Sequence, residues 1–242
     1  MATTFYLLDT ASDINPTADT EKLLSLTAGS AAVTAVTNTA AGPFANAGPQ
    51  VTATAGGTAI RWLSNPLSAV TISVAVANGV ALWGLESNAM ANVAWFITLN
   101  RVDGSGTFIS EIQGAAGGTG QFGTELGTAS GETTRNTSPT STTLADGDRL
   151  ELIVYISDPI GITMASGHTA TLRYAGAPST DHSRITFSET ITEYTPPAPA
   201  DASKPWRRTA HVPGQRYVTP GTVFGRSWIK KYSGVMVPSY GS

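Results

Sequence analysis

One stretch of the sequence holds the residue types of a serine hydrolase. Asp181, His182 and Ser183 follow one another directly. Members of a catalytic triad meet through the fold and usually lie far apart in the chain, and no Gly-x-Ser-x-Gly turn is present to expose a serine nucleophile. The sequence therefore favours a polar loop between two strands and predicts no catalytic residue. A hydrolase that depends on His182 stays as a third hypothesis.

No other residue pattern indicates a metal, cofactor or phosphate site. The three histidines, His168, His182 and His211, lie in different segments, and there is no cysteine to act as a ligand. The turn Asp146-Gly147-Asp148 supplies two carboxylates, whereas calcium needs about six oxygens. The glycine-rich stretch 114–120 precedes no Gly-Lys-Ser/Thr sequence. We therefore expect no metal ion and no cofactor.

Three tryptophans could in principle stack on sugar rings from the face of a sheet. They are Trp62, Trp83 and Trp95, of which Trp95 shares its face of a predicted strand with Val93 and Ile97 and is expected in the core. Trp83 is the tryptophan expected at the surface. Carbohydrate binding is therefore an alternative function, with Trp83 as its candidate residue.

A Pro-rich linker begins at Thr195 and leads into a basic segment rich in aromatic residues. Nucleic acid could use such cations and rings, but prolines interrupt the charges, so we favour an extended arm that binds protein. The residues expected to bind a partner are Trp206, Arg207, Arg208, Arg216, Tyr217, Phe224, Arg226, Trp228, Lys230, Lys231 and Tyr232.

The sign of the net charge changes after the Pro-rich linker. Residues 1–200 carry 7 basic and 16 acidic side chains, a formal charge of −9, and residues 201–242 carry 7 and 1, a charge of +6. Opposite charges on body and arm favour head-to-tail attraction between copies or binding of the arm to another acidic surface. Charged residues make up only 13% of the chain, and no apolar run reaches the roughly 18 residues needed to span a bilayer. We expect no membrane segment.

Period-two alternation predicts that strands dominate the chain. Residues 68–76 and 80–86 flank Asn78-Gly79, which predicts a hairpin with a tight turn. Residues 20–25 are the best helix candidate, and residues 113–143 are predicted to be a long loop or short edge strands. The other predicted strands are residues 3–8, 93–99, 107–112, 149–156, 168–174, 184–187 and 190–194.

These elements predict an all-β protein, an antiparallel β-sandwich of jelly-roll type with an extended C-terminal arm. Residues 1–60 form an N-terminal strand and a low-complexity segment that joins the body. Residues 61–194 form the sandwich, and residues 195–242 form the linker and the arm.

The body resembles jelly-roll structural proteins of tailed bacteriophage virions. The resemblance rests on Thr-Leu-Ala-Asp-Gly-Asp-Arg-Leu-Glu-Leu-Ile-Val-Tyr-Ile at residues 143–156, together with residues 167–174 and 184–187, and it covers residues 60–194. It implies a non-catalytic capsid decoration, collar, neck or tail protein in a symmetric homo-oligomer.

From these observations we expect a non-enzymatic virion structural protein of a tailed phage, held on the capsid as a decoration or cement protein by subunit packing and by the arm. Collar, neck or tail components, or a carbohydrate-binding module of a fibre, are the alternatives. The expected partners are other virion proteins, and the expected location is the virion, assembled in the host cytoplasm.

Overall fold

The structure is a computed structural model that divides the 242-residue chain into two compact units, residues 1–196 and 197–242. The described residues contain seventeen β-strands and no helix, which confirms the predicted all-β class. These ranges contain no helix long and apolar enough to cross a membrane. The structure describes residues 2–15, 21–30, 34–38, 53–54, 57–58, 60–73, 79–91, 93–114, 125–135, 140–157, 168–177, 182–197, 228–232 and 235–238.

Fifteen of the strands belong to the first unit and two to the second. The strands of the first unit are β1 (Thr3–Ala11), β2 (Glu21–Ser25), β3 (Thr34–Asn38), β4 (Ala53–Thr54), β5 (Gly57–Thr58), β6 (Arg61–Ser64), β7 (Val70–Ile72), β8 (Val80–Glu86), β9 (Ala94–Val102), β10 (Phe108–Gln113), β11 (Gly131–Arg135), β12 (Thr142–Leu144), β13 (Arg149–Ser157), β14 (Ala170–Tyr174) and β15 (Arg184–Phe187). Those of the second are β16 (Trp228–Tyr232) and β17 (Val235–Pro238).

Eleven strands of the first unit form one sheet. Its hydrogen-bonded order is β10-β9-β13-β6-β2-β1-β15-β8-β14-β3, and β11 pairs with β8 outside this path. Among the described strand pairs, β2 with β6 is parallel and the others are antiparallel. Strands β7 and β12 form a separate two-stranded sheet, as do β4 and β5.

The large sheet folds back on itself and encloses one core. Trp95 of β9 and Gly84 of β8 are six places apart in the strand order, yet a Cβ on Gly84 would lie 2.2 Å from Cζ2 of Trp95. Trp62 of β6 meets Tyr174 of β14 edge to face, with ring centroids 5.2 Å apart. Such contacts between distant strands bring the two halves of the sheet face to face, as in a β-sandwich. The jelly-roll connectivity stays a prediction.

The strongest strand prediction, residues 149–156, corresponds to β13, which pairs with β9 along its whole length. Leu150 and Leu152 of β13 and Ile97 of β9 lie in the core. Phe96 and Tyr155 lie on the opposite face of the same strands and are also buried, with ring centroids 5.4 Å apart. These two strands are therefore buried on both faces. Successive side chains along them point alternately into the main core and into the smaller cluster on the other face.

The predicted hairpin of residues 68–76 and 80–86 is wrong. Strand β7 pairs with β12, whereas β8 has β11 along one edge and β14 and β15 along the other. Because both edges of β8 are occupied, no edge remains for β7. The Asn-Gly signal is local and does not report which strands become neighbours.

Two further predictions are corrected by the structure. Residues 21–25 form strand β2 rather than a helix, because Leu24 enters the core while the backbone pairs with β1 and β6. Residues 190–194 form no strand and contribute one bridge, from Glu193 to Leu67. Both segments are too short for periodicity to decide their structure. Within residues 113–143, the described part contains the short strands β11 and β12.

We expect Gly84→Ala to destabilise the protein by about 1–3 kcal/mol or more, because the new Cβ would clash with the Trp95 ring and with the Thr171 carbonyl oxygen at 2.5 Å. Urea unfolding followed by circular dichroism measures the change. Gly127→Ala is the matched control, because its Cβ would meet nothing closer than 3.7 Å. Equal stability of the two variants would contradict the close approach of the two sheet halves.

Candidate functional site

Five polar or aromatic side chains lie together on the sheet where β1, β15, β8 and β11 are neighbours. Tyr6 is in β1, Trp83 in β8 and Glu132 in β11, while Arg184 begins β15 and His182 precedes it. These five residues form what we call the sheet-face cluster. The chain is only 13% charged, so this grouping of charges and rings on one face stands out.

Alternation along the strands points the cluster away from the core. Phe5 and Leu7 flank Tyr6 and are buried, and Ile185 after Arg184 is buried as well. Successive side chains of a strand point to opposite faces. Tyr6 and Arg184 therefore lie on the outer face, and the buried residues beside them hold their strands in place.

The register of the strands brings the cluster together. Tyr6 pairs with Arg184, Arg184 pairs with Ala81, and Glu132 pairs with Trp83. Because β8 lies between β15 and β11, the side chain of Arg184 must cross β8 to reach Glu132. The small methyl group of Ala81 leaves room for that crossing.

A chain of hydrogen bonds links four of the five side chains. Trp83 Nε1 donates to Glu132 Oε2 at 3.0 Å, and Arg184 Nη1 donates to the same oxygen at 2.8 Å. Arg184 Nη2 lies 3.4 Å from Glu132 Oε1, and its Nη1 lies 3.2 Å from His182 Nε2. The ring of Tyr6 completes the cluster, with its centroid 5.8 Å from that of His182.

His182 is held as a neutral imidazole with its proton on Nδ1. A guanidinium group only donates hydrogen bonds, so Nε2 must accept from Arg184. Burial lowers the pKa of His182, the positive charge of Arg184 lowers it further, and Glu132 opposes the shift. The buried Nδ1 has no hydrogen-bond partner among the described residues, which typically costs about 1–3 kcal/mol.

Glu132 carries the negative charge of the cluster. The hydrogen bond from Arg184 holds the pKa of the Glu132 carboxyl below its usual value, although burial raises it. The positive charge of Arg184 and the hydrogen bond from Trp83 lower the pKa further. Glu132 and Arg184 therefore form a fixed ion pair, with side chains 28% and 27% exposed, in reach of a ligand from solvent.

The Asp181-His182-Ser183 triplet does not form a catalytic arrangement. Ser183 is fully buried; its Oγ donates to the Arg173 carbonyl oxygen at 2.8 Å and accepts from Trp83 N at 3.0 Å. This hydroxyl joins the backbones of neighbouring strands and cannot reach a substrate. The Nε2 atom that would act as a base accepts from Arg184 instead. Asp181 lies outside the described residues.

The carboxylates of the predicted turn at residues 146–148 hold the backbone in place. Asp146 Oδ1 accepts from Ala69 N at 2.7 Å, and Asp148 Oδ2 accepts from Ala145 N at 2.7 Å and from Arg101 Nε at 2.6 Å. Across the part of the chain that the structure describes, no group of three or more histidine, aspartate or glutamate side chains could hold a metal ion.

Of the three tryptophans that the sequence singled out, one is accessible. Trp62 and Trp95 are buried in the core, which confirms the prediction for Trp95. Trp83 is partly exposed on the outer face, as predicted.

The predicted partner-binding residues are not brought into a site by the described part of the chain. Trp206, Arg207, Arg208, Arg216, Tyr217, Phe224 and Arg226 lie outside the described residues. Trp228, Lys230, Lys231 and Tyr232 belong to β16, whose backbone pairs with β17. The arm as a binding element stays a prediction.

Sequence reasoning missed Tyr6, Glu132 and Arg184 as members of one site. The alternation in β1 and β15 does place Tyr6 and Arg184 outside the core. Glu132, however, lies 52 residues before Arg184 in a stretch of weak strand signal. Only the pairing of β11 with β8 brings it close to the other four residues.

Comparison with known proteins gives similarity in structure alone. No protein-family model matches the chain, and no curated protein matches it. A CocE/NonD family hydrolase from Staphylococcus aureus matches with a TM-score of 0.42 and 9% sequence identity. An aminopeptidase from a marine sediment Thaumarchaeota archaeon matches with a TM-score of 0.46 and 12% identity. An α-amino acid ester hydrolase matches with a TM-score of 0.46 and 14% identity. Each match covers 76–77% of this chain but 36% of the other, so the chain spans about a third of their length.

These similarities correct the function expected from the sequence. The three proteins are hydrolases and none is a phage virion protein, so the prediction of a non-enzymatic phage virion protein, whether decoration, collar, neck, tail or fibre, is wrong. The prediction that the chain is not an enzyme is wrong for the same reason. With TM-scores below 0.5, the similarities carry no activity to this chain.

We expect His182 to titrate below pH 6.5, its ordinary value, because burial and Arg184 disfavour the imidazolium form. Glu132→Gln should lower this pKa further by removing a negative charge, and Arg184→Leu should raise it by removing a positive one. A proton–carbon NMR titration of the histidine Cε1–H signals, assigned with His182→Gln, measures each value. A wild-type value at or above 6.5 would show that the described contacts do not control His182.

Proposed function

We propose that the chain is a recognition module that binds a small polar ligand with a ring through the sheet-face cluster. The observation that carries the proposal is the hydrogen-bonded series Trp83, Glu132, Arg184 and His182, which runs across three strands of the outer face. The series fixes charged donors and acceptors beside aromatic rings before any ligand arrives. Such preorganisation lowers the entropic cost of binding.

The aromatic side chains supply the apolar part of the site. Trp83 is partly exposed, and its indole orientation is fixed by the hydrogen bond to Glu132. Tyr6 stands beside Arg184 in the strand register. Aromatic side chains offer large contact areas at low cost in conformational entropy, and stacking on them is worth about 0.5–1.5 kcal/mol beyond the buried area. A flat ring is the ligand shape that such faces accept.

A purely structural role would leave one feature unexplained. Cross-strand pairs of this kind do stabilise sheets, by about 0.2–1 kcal/mol each. The buried Nδ1 of His182, which has no hydrogen-bond partner among the described residues, costs more than one such pair contributes. A buried polar atom kept at such a local cost in stability is typical of a functional site.

We expect ligands from a panel of monosaccharides, aryl acids, aromatic amino acids and nucleosides to shift the indole N–H signal of Trp83 in a nitrogen-15 NMR spectrum of the full chain. Trp83→Ala should weaken binding of the best ligand about tenfold or more, because the stacking surface is lost. Isothermal titration calorimetry measures the affinity.

The matched control is Ile109→Ala, which alters a side chain that is 41% exposed on β10, at the other end of the strand order. This variant should bind with wild-type affinity. If no member of the panel shifts the Trp83 signal, or if both variants bind as well as the wild type, the sheet-face cluster is not a binding site.

We further propose that the basic segment after residue 200 makes the protein self-associate. Its charge of +6 opposes the −9 of residues 1–200, which makes a second copy of this chain a complementary partner. Strands β16 and β17 form a two-stranded sheet, and two strands alone are marginally stable in water. Binding to an acidic protein surface would supply the contacts that such a hairpin lacks.

We expect the full chain to elute as an oligomer in size-exclusion chromatography with light scattering at low salt and to dissociate at about 1 M salt, where charges are screened beyond roughly 3 Å. Deletion of residues 197–242 should give a monomer. Its melting temperature should stay close to that of the full chain, because the core lies within residues 1–196. A monomeric full chain at every protein concentration and low salt would overturn self-association.

A further inference from the structure

The guanidinium group of Arg184 uses only one side of its hydrogen-bonding capacity within the cluster. The group has five N–H donors. Nη1 donates to Glu132 and to His182, and Nη2 faces the second oxygen of Glu132. The Nε–H and the remaining Nη2–H have no partner among the described residues. These two hydrogens point the same way along one edge of the planar group.

Three structural arginines in the described part of the chain use their Nε–H group. Arg149 Nε donates to the Gly104 carbonyl oxygen at 3.0 Å, and Arg101 Nε donates to Asp148. Arg61 Nε donates to Glu151, again within the ion pair that holds the side chain. Arg184 differs from all three. Its Nε–H donates to no described residue, and its side chain is 27% exposed.

An open edge of this kind matches a planar anion with two oxygens. Two parallel N–H groups accept a carboxylate in a bidentate, charge-assisted pair, the geometry for which arginine is better suited than lysine. Among the described residues, Arg173, next to Trp83 in the strand register, adds a second positive charge against the negative charge of Glu132. With His182 neutral, the net charge of these described side chains favours an anion.

The rings beside Arg184 define what the anion is attached to. Tyr6 is the register partner of Arg184 on β1, and Trp83 is anchored to the same Glu132 that holds the other edge of the guanidinium. A carboxylate on the open edge would place its attached ring over this aromatic surface. We propose that Arg184 binds the carboxylate of a small ring-bearing acid, an inference that rests on the proposed function of the sheet-face cluster.

The test compares acids with uncharged analogues of the same shape on the full chain. The probes are benzoate against benzamide and glucuronate against glucose, and affinities come from NMR titration of the Trp83 indole signal. We expect at least one acid to bind about 10- to 100-fold more tightly than its neutral analogue, because one charge-assisted pair is gained.

Arg184→Lys keeps the positive charge and removes the planar fork. This variant should lose most of the preference for the acid while still binding the neutral analogue. Arg135→Lys on β11 is the matched control, since Arg135 lies three residues after Glu132 and so points to the opposite face of the sheet from the cluster; it should leave the preference unchanged. A melting temperature near the wild-type value in both variants shows that the fold is intact.

The outcomes separate this inference from the proposed function. Equal binding of acid and neutral analogue, or an unchanged preference in Arg184→Lys, overturns the carboxylate site and leaves ring recognition standing. Competition by inorganic phosphate as strong as that by benzoate also overturns it, because the site would then accept any oxyanion. Absence of any shift in the Trp83 signal with all four probes and the wider panel overturns the recognition module itself.

Discussion

The approach of the Trp95 indole to the backbone of Gly84 is the contact on which the rest of the structure depends. It joins β9 to β8 across the core, although the two strands are six places apart in the sheet. A side chain at position 84 would hold the two halves of the sheet apart, so the absence of a Cβ is what lets them meet. Protein interiors are packed as densely as organic crystals, so a gap at this point would remove packing contacts from side chains throughout the core. The closed sandwich thus depends on one glycine and one large ring.

The same strand carries the core contact and the candidate site. Gly84 faces inward, and its neighbour Trp83 faces outward toward Glu132. Packing of the inner face therefore fixes the backbone that presents the indole. Ser183 contributes in the same way, because its buried hydroxyl accepts from the backbone N–H of Trp83 while the adjacent His182 lies on the outer face. A ligand site built on strands with a rigid core is positioned more accurately than one built on loops.

Hydrogen-bond use separates the structural arginines from the arginine of the candidate site among the described residues. The side chain of Arg149 is 6% exposed, and its guanidinium is held by Asp13 and by two backbone carbonyl oxygens. The Arg184 side chain is 27% exposed, and its Nε–H has no hydrogen-bond partner among the described residues. Composition could not reveal this difference, and it misled the functional prediction. Low charge and richness in small residues are properties of many β-sandwiches, and a fold of this kind hosts unrelated functions.

The sequence by itself determined the all-β class and the principal strands, because period-two alternation depends only on the geometry of neighbouring residues. It also placed Trp95 inside and Trp83 outside, since each lies in a strand with a clear pattern. It could not decide that β8 pairs with β11, β14 and β15 rather than with β7, or that Glu132 meets Arg184. Those contacts join residues far apart in the chain, and their free energy comes from burial and pairing that exist only once the sheet has closed. The sandwich strands were therefore largely predictable from sequence, whereas the sheet-face cluster was decided by tertiary structure.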